Sequence, residues 1–118
     1  MISVGTVLKC SDNSGAILIK CIKIYKRKNK GSIGDIILTV VVTYNPKKKI
    51  KKGEMHKVLI IRTKYRSKVN NSYYKFSDNA GIILNKKNIP IASRLFGCSI
   101  RLMRLYNRKV FLLLPYII

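Results

Sequence analysis

The hydrophobic positions concentrate in two runs between residues 35 and 64. The first reads Asp35-Ile36-Ile37-Leu38-Thr39-Val40-Val41-Val42-Thr43-Tyr44 and the second Lys57-Val58-Leu59-Ile60-Ile61-Arg62-Thr63. Both are dense in β-branched residues, which fit a pleated, part-buried surface better than a helix, so both predict strands. Residues 45–54 join them and hold five lysines, Lys47, Lys48, Lys49, Lys51 and Lys52. Asn45-Pro46 opens this connection as a turn and Gly53 closes it. A buried β framework therefore sits beside a heavily cationic loop.

The flanking sequence extends the pattern. Residues 6–10 predict a short first strand, and Ser11-Asp12-Asn13-Ser14-Gly15 is a turn cluster whose Asx side chains bond nearby backbone. Residues 16–25 are strand-like by composition, but Lys20 and Lys23 fall on opposite faces of a regular strand. Residues 26–32 form a basic loop. Residues 64–72 make the polar tip of a second hairpin, which returns through Tyr73-Tyr74-Lys75-Phe76, and residues 80–84 give a further strand. From residue 91 the character changes. Ser93-Arg94-Leu95-Phe96-Gly97 predicts one helical turn with Gly97 as its stop. Arg101, Arg104 and Arg108, spaced i, i+3 and i+7, fall on one face of a helix, and Pro115 ends the last helical piece. Short strands with closely spaced turn signals, followed by a small helical tail, predict a closed barrel.

Length and charge narrow the function. The 118 residues suffice for one domain and not two, with residues 1–90 as barrel and ribbon and 91–118 as the tail. Hydrophobic residues make up 47% of the chain, so it is not a disordered polycation. Yet 25 Lys and Arg face only 4 Asp and Glu, a formal charge of +21. Self-repulsion of that size calls for a polyanionic partner, with nucleic acid ahead of an anionic membrane surface. No apolar run reaches the ~18 residues of a membrane-spanning helix. The opening Met-Ile-Ser-Val-Gly-Thr carries neither an export signal nor an Arg/Ser-rich presequence. Cys10, Cys21 and Cys98 have no metal-ligand spacing, and reduced thiols are expected.

Catalysis is poorly supplied. Asp12, Asp35, Glu54 and Asp78 all sit in Gly/Asn turn contexts, which read as turn-forming acids. No carboxylate pair, phosphate-cradling loop or His/Cys nucleophile arrangement is present, so no enzyme, metal or cofactor is expected. Binding is richly supplied. The basic clusters are Lys26, Arg27, Lys28 and Lys30; the loop lysines 47–52; Arg62, Lys64, Arg66 and Lys68; Lys86 and Lys87; and the tail pair Arg101 and Arg104. Their repetition around one small barrel suits phosphate on several sides. Tyr25, Tyr44, Tyr65, Tyr73 and Tyr74 lie among the lysines, either as strand packing or as platforms for unpaired bases.

Six segments in order carry a resemblance. They are Asp12-Asn13-Ser14-Gly15-Ala16; Gly34-Asp35-Ile36-Ile37; Lys51-Lys52-Gly53-Glu54; Val58 through Lys64; Phe76 with Asn79-Ala80 and Ile82-Ile83-Leu84; and Ser93-Arg94-Leu95-Phe96-Gly97 with Arg101 and Arg104. Over its whole length the chain resembles the family of protein fourteen of the large ribosomal subunit, in its bacterial-type form. It departs from that pattern at Asn70-Asn71-Ser72, where the family has Asp-Gly and one more residue. It also departs at Cys98, for a proline, and at Leu102, for a glutamate.

The resemblance implies a mainly β fold: a five-stranded closed β-barrel with a protruding β-ribbon and short C-terminal helices. It implies a structural rRNA-binding protein that touches small-subunit rRNA in an intersubunit bridge and meets a neighbouring large-subunit protein and the ribosome silencing factor. The residues matching the factor's docking site are Ser93, Arg94 and Lys109, the last through a one-residue gap near Tyr106. The alternative reading is a single-stranded nucleic-acid-binding module of the oligonucleotide-barrel type. The bias to Lys over Arg, with frequent Ile, Asn and Tyr, is what an A+T-rich coding sequence produces. An organelle-encoded protein is therefore expected, mitochondrial ahead of plastid, with a bacterial cytoplasm as the remaining setting.

Overall fold

The computed structural model describes residues 2–25, 29–69 and 71–118. Its strands are β1 Val7–Cys10, β2 Ala16–Ile24, β3 Ile36–Tyr44, β4 Met55–Arg62, β5 Ser67–Val69, β6 Ser72–Tyr74, β7 Ala80–Leu84, β8 Cys98–Ser99 and β9 Tyr116–Ile117. Two short helices, α1 Met103–Tyr106 and α2 Arg108–Leu113, lie between β8 and β9. Five strands close into a barrel in the order β1-β2-β3-β4-β7. Four of its pairings are antiparallel; the closing one, β1 with β7, is parallel and sets Lys9 opposite Ala80 and Cys10 opposite Gly81. The β5-β6 hairpin stands apart as a two-stranded ribbon.

The burial pattern explains why the second apolar run does not alternate. Val58 and Ile60 of β4 point into the barrel beside Ile19, Ile37, Val41 and Ile83. Leu59 and Ile61 point outward, yet they are buried too. The tail covers them, packing Ile100, Met103, Val110 and Leu114 against Leu59, Ile61, Ile82 and Leu84. A strand covered on both faces reads as a continuous apolar run. Each such side chain removed fully from water contributes about 1.5–3 kcal/mol.

β2 resolves the conflict between Lys20 and Lys23. The register against β3 shifts between Cys21 and Lys23. This bulge leaves Ile22 unpaired and returns Lys23 to the exposed side that Lys20 occupies, while Cys21 and Ile24 stay buried.

The tail differs from its sequence expectation in three respects. Residues 93–97 form no helical turn; they run as an irregular strap, with Leu95 bridging to Asp12. The arginine-bearing helix is broken at Asn107, whose extended backbone (φ −157°, ψ 106°) ends α1 and whose side chain accepts a hydrogen bond from the Val110 N–H of α2. Arg101 therefore lies in the turn before α1, Arg104 in α1 and Arg108 at the start of α2, rather than on one face of a single helix. Third, the chain end returns as β9 in parallel with β8, pairing Tyr116 with Cys98 and Ile117 with Ser99. The Ser99 hydroxyl donates to the Ile61 carbonyl at 2.7 Å, which ties this pair to the barrel wall.

Candidate nucleic-acid interface

The β3–β4 connection is a fixed platform for lysines. Ile50 plugs into the barrel core at 5% exposure. Asn45 Oδ1 accepts from the Lys47 N–H, the Asn45 carbonyl accepts from the Lys48 N–H, and the Asn45 N–H donates to the Gly15 carbonyl at 2.7 Å. With the backbone held from inside, Lys47, Lys48, Lys49, Lys51 and Lys52 are all left exposed. Lys30 is exposed beside Gly31, which is bridged to Ile2. Lys26, Arg27 and Lys28 lie outside the described residues.

The ribbon arranges a second group. The Thr63 hydroxyl donates to the Tyr65 carbonyl at 2.8 Å and lies 2.7 Å from the Ser67 hydroxyl, fixing the ribbon's root. Lys64, Arg66 and Lys68 are exposed. The Arg66 guanidinium lies 4.4 Å and the Lys68 ammonium 5.9 Å from the centre of the Tyr73 ring. A ring under a guanidinium orders it without consuming its edge N–H donors, which keeps them available for phosphate. One cleft brings Lys30 together with Tyr65 and Arg66. Lys86 and Lys87 occupy a tight loop whose Asn85 Oδ1 accepts from the Lys87 and Ile89 N–H groups.

Arg62 is a correction. It was expected among the phosphate contacts, but it is only 8% exposed. Its Nε donates to Asp78 Oδ1 at 3.0 Å, and Nη2 donates to the Ser11 hydroxyl at 2.8 Å. Nη1 donates to the carbonyls of Phe96 and Cys98 at 3.3 and 3.1 Å. This guanidinium clamps the strap to the barrel. Gly97 (φ +78°) allows the close approach, because a Cβ there would collide with Arg62 Nη1.

The turn cluster does more than reverse the chain. Asp12 is buried. Its Oδ2 accepts from the Ile83 N–H at 3.1 Å, and its Oδ1 accepts from the Ser14 N–H and hydroxyl and from the Cys10 thiol. Asn13 holds the strap: Oδ1 accepts from the N–H groups of Ser93 and Arg94, Nδ2 donates to the Ser93 hydroxyl, and its own N–H donates to the Arg94 carbonyl. Ser93 and Arg94 are exposed as a result, with the Arg94 guanidinium 5.4 Å from the Phe96 ring centre. A groove joins Asn13, Lys48, Lys49 and Ser93, so the lysine loop and the strap form one surface. Lys109 stands exposed on α2. That part of the tail is anchored elsewhere, through Asn107 Nδ2 donating to the Asn88 carbonyl. Sequence reasoning had no reason to connect residue 13 with residues 93–94. The only signal was two Asx residues side by side in one turn.

Internal bonding uses up counter-charge. Asp12 and Asp78 are engaged as described, and Glu54 Oε2 lies 2.9 Å from His56 Nε2. That contact holds the Glu54 carboxyl below the usual carboxylate range, against the smaller opposing effect of desolvation. Burial, with the Asp12 charge adjacent, pushes the Cys10 thiol far up, and burial also raises Cys21. Neither is poised as a nucleophilic thiolate. Among the described residues no three His, Cys, Asp or Glu side chains converge on a metal position. None of the described helices is long and apolar enough to cross a membrane.

Comparison with known proteins identifies the family. The profile of the family Ribosomal protein L14p/L23e matches residues 1–116. A large ribosomal subunit protein uL14 of Carsonella ruddii (strain PV) is 44% identical over 112 residues, which cover 92% of this chain and 90% of that protein.

Proposed function

Since the chain belongs to the ribosomal protein L14p/L23e family, and is thus a structural component of the large ribosomal subunit rather than an enzyme, we propose that it acts in translation by binding large-subunit rRNA through the cations around its barrel. The carrying observation is the β3–β4 platform: five exposed lysines on a backbone anchored by Ile50, with the carboxylates of Asp12, Glu54 and Asp78 bonded elsewhere. Lys30, Lys64, Arg66, Lys68, Arg101 and Arg104 extend the same role to other sides of the molecule, as do Lys26, Arg27 and Lys28 in the sequence pattern. The platform supplies charge, and the barrel fixes where that charge sits.

The strap carries the finer part of the reading. Ser93 and Arg94, continuous with Lys48 and Lys49, meet small-subunit rRNA in an intersubunit bridge. In the free subunit the same strap, with Lys109, receives the ribosome silencing factor, and a neighbouring large-subunit protein packs beside the tail. A guanidinium serves both bridge partners because it pairs bidentately with phosphate or carboxylate. The Lys, Ile, Asn and Tyr bias is what favours a mitochondrial ribosome, with a plastid next. The bacterial relative favours a bacterial ribosome as the second reading, and the chromosome that carries the gene decides between them.

The test is replacement of Lys47, Lys48 and Lys49 by Ala, with rRNA binding followed across salt concentration. Loss of about three phosphate contacts lowers the slope of log K against log salt by ~2–3. The wild-type protein should sediment with large subunits in a sucrose gradient. An unchanged slope, or a protein spread over free RNA, would refute the proposal.

A further inference from the structure

Tyr25 stands where β2 ends, half-buried, at the meeting of two clefts that share its ring and Lys57. Asp35, Ile36 and Asn88 wall one cleft, with the Asp35 carboxylate accepting from the Ser32 N–H and hydroxyl; Leu38 and Lys86 line the other. The ammoniums of Lys23 and Lys57 lie 5.5 and 5.9 Å from the ring centre. Asn88 has a φ of 61°, the one positive value at a non-glycine position among the described residues. A left-handed residue persists where its surroundings hold it there. Here the hold comes from Asn107 on the Asn88 carbonyl and from the Asn88 N–H donating to the Asn85 carbonyl. The site thus combines a flat ring, apolar side walls, a fixed rim and three ammonium groups. A duplex would engage the lysines and leave a ring set down between walls untouched.

We propose that this cleft takes one unpaired RNA nucleotide, its base stacked on Tyr25 and its flanking phosphates held by Lys57 and Lys86. This rests on the RNA-binding reading above and names a subsite within it. Splayed bases stacked on aromatic side chains are the usual way a protein surface holds single-stranded RNA. Stacking tolerates any base because each has a π face. The larger cleft, about 480 Å³, lies in the range of roughly 300–1,000 Å³ typical of small-ligand sites. Charge complementarity favours a nucleotide over an uncharged apolar partner, given the ammoniums already gathered by the ring. On binding, the base takes the ring face and the ammoniums move to the phosphates on either side.

The experiment uses the full chain and a labelled hexamer of riboadenosine, titrated by fluorescence anisotropy. Tyr25→Phe should keep the affinity within about 2-fold. Tyr25→Leu should lower it about 5- to 150-fold, the loss of one base–aromatic stack, without changing the salt slope. Lys57→Gln should flatten that slope by about 1. Affinity for a duplex of the same strand should not respond to Tyr25→Leu. A 4-thiouridine hexamer should crosslink to the wild-type peptide that holds Tyr25, a readout that needs no variant to fold. Unaltered hexamer binding by Tyr25→Leu, equal loss for duplex and single strand, or crosslinks confined to other peptides would overturn the subsite. Displacement of the hexamer by a polyglutamate peptide with the same Tyr25 sensitivity would assign the cleft to an acidic protein segment instead. Failure of the wild-type protein to sediment with large subunits would count against the parent reading, whereas normal sedimentation with indifference to Tyr25 defeats only the subsite.

Discussion

Arg62→Leu removes a side chain that joins the barrel wall, the N-terminal turn and the strap. The guanidinium makes four hydrogen bonds, one to a carboxylate, from a position 8% exposed. Leucine would fill part of the volume but leave the Phe96 and Cys98 carbonyls and the Ser11 hydroxyl without this donor. Removing one partner of a buried pair costs about 3–5 kcal/mol. The Asp78 side chain is 26% exposed and also lies 3.6 Å from Lys9, so water and a second cation relieve part of its loss. That argues for the lower end, ~3 kcal/mol, within a total of about 5–15 kcal/mol. The melting temperature should fall by roughly 10–15 °C for a chain of this size. Urea unfolding followed by circular dichroism measures the change, and an unaltered m-value shows that the same surface unfolds. A double-mutant cycle with Asp78→Asn should return a coupling of about 1–3 kcal/mol. Arg62→Leu within ~0.5 kcal/mol of wild type, the range of an ordinary surface change, would refute the clamp. So would a zero coupling to Asp78.

Three further outcomes are expected. Asn13→Ala removes the acceptor shared by the Ser93 and Arg94 amides. It should destabilise the protein by about 1–2 kcal/mol and speed hydrogen exchange at those two amides, and unchanged exchange there would contradict the strap's anchoring. Arg94→Glu, tested in reconstituted large subunits, should weaken silencing-factor binding by ~2 kcal/mol or more if the pair is desolvated while rRNA incorporation stays intact. Normal factor binding would remove Arg94 from that surface. Glu54 has a folded-state pKa held down first by His56, so its stabilising contribution is present above the unfolded carboxylate value and is lost as pH falls through the folded one. His56→Ala should let the Glu54 midpoint rise in an NMR carboxyl titration, and an unmoved midpoint would show that the contact does not set it.

The sequence carried the barrel because its signals are local. β-branched runs mark β3 and β4, and lysines packed between Pro46 and Gly53 mark a loop whichever strands it joins. Lys47, Lys48, Lys49, Lys51 and Lys52 are exposed for the same reason. Arg62 was misplaced because an arginine ending a buried strand carries the same letter as one on a loop; only the carbonyls of residues 96 and 98, far along the chain, decide its role. The strap looked helical because Gly97 resembles a helix stop, yet its missing Cβ serves to admit a guanidinium. The spacing of Arg101, Arg104 and Arg108 is genuinely helical. Asn107 breaks it by capping α2, a preference that Asn side chains bring to helix starts. The β8–β9 pair, two residues on each side, offers no periodicity to read.

The parallel closure of β1 on β7 has a consequence for synthesis. β1 is made before the other barrel strands and finds its second neighbour only once β7 has been added, so the barrel stays open until then. Even then Leu59 and Ile61 have no cover until Ile100, Met103, Val110 and Leu114 follow. At roughly 5–20 residues per second, that leaves an apolar wall bare for several seconds on a strongly cationic nascent chain. The interval joins two adhesive surfaces in one molecule, an apolar one for other unfinished chains and a cationic one for nearby polyanions. Ile100, Met103, Val110 and Leu114 therefore do more than pack a wall: they end the period in which this chain can stick to the wrong partner.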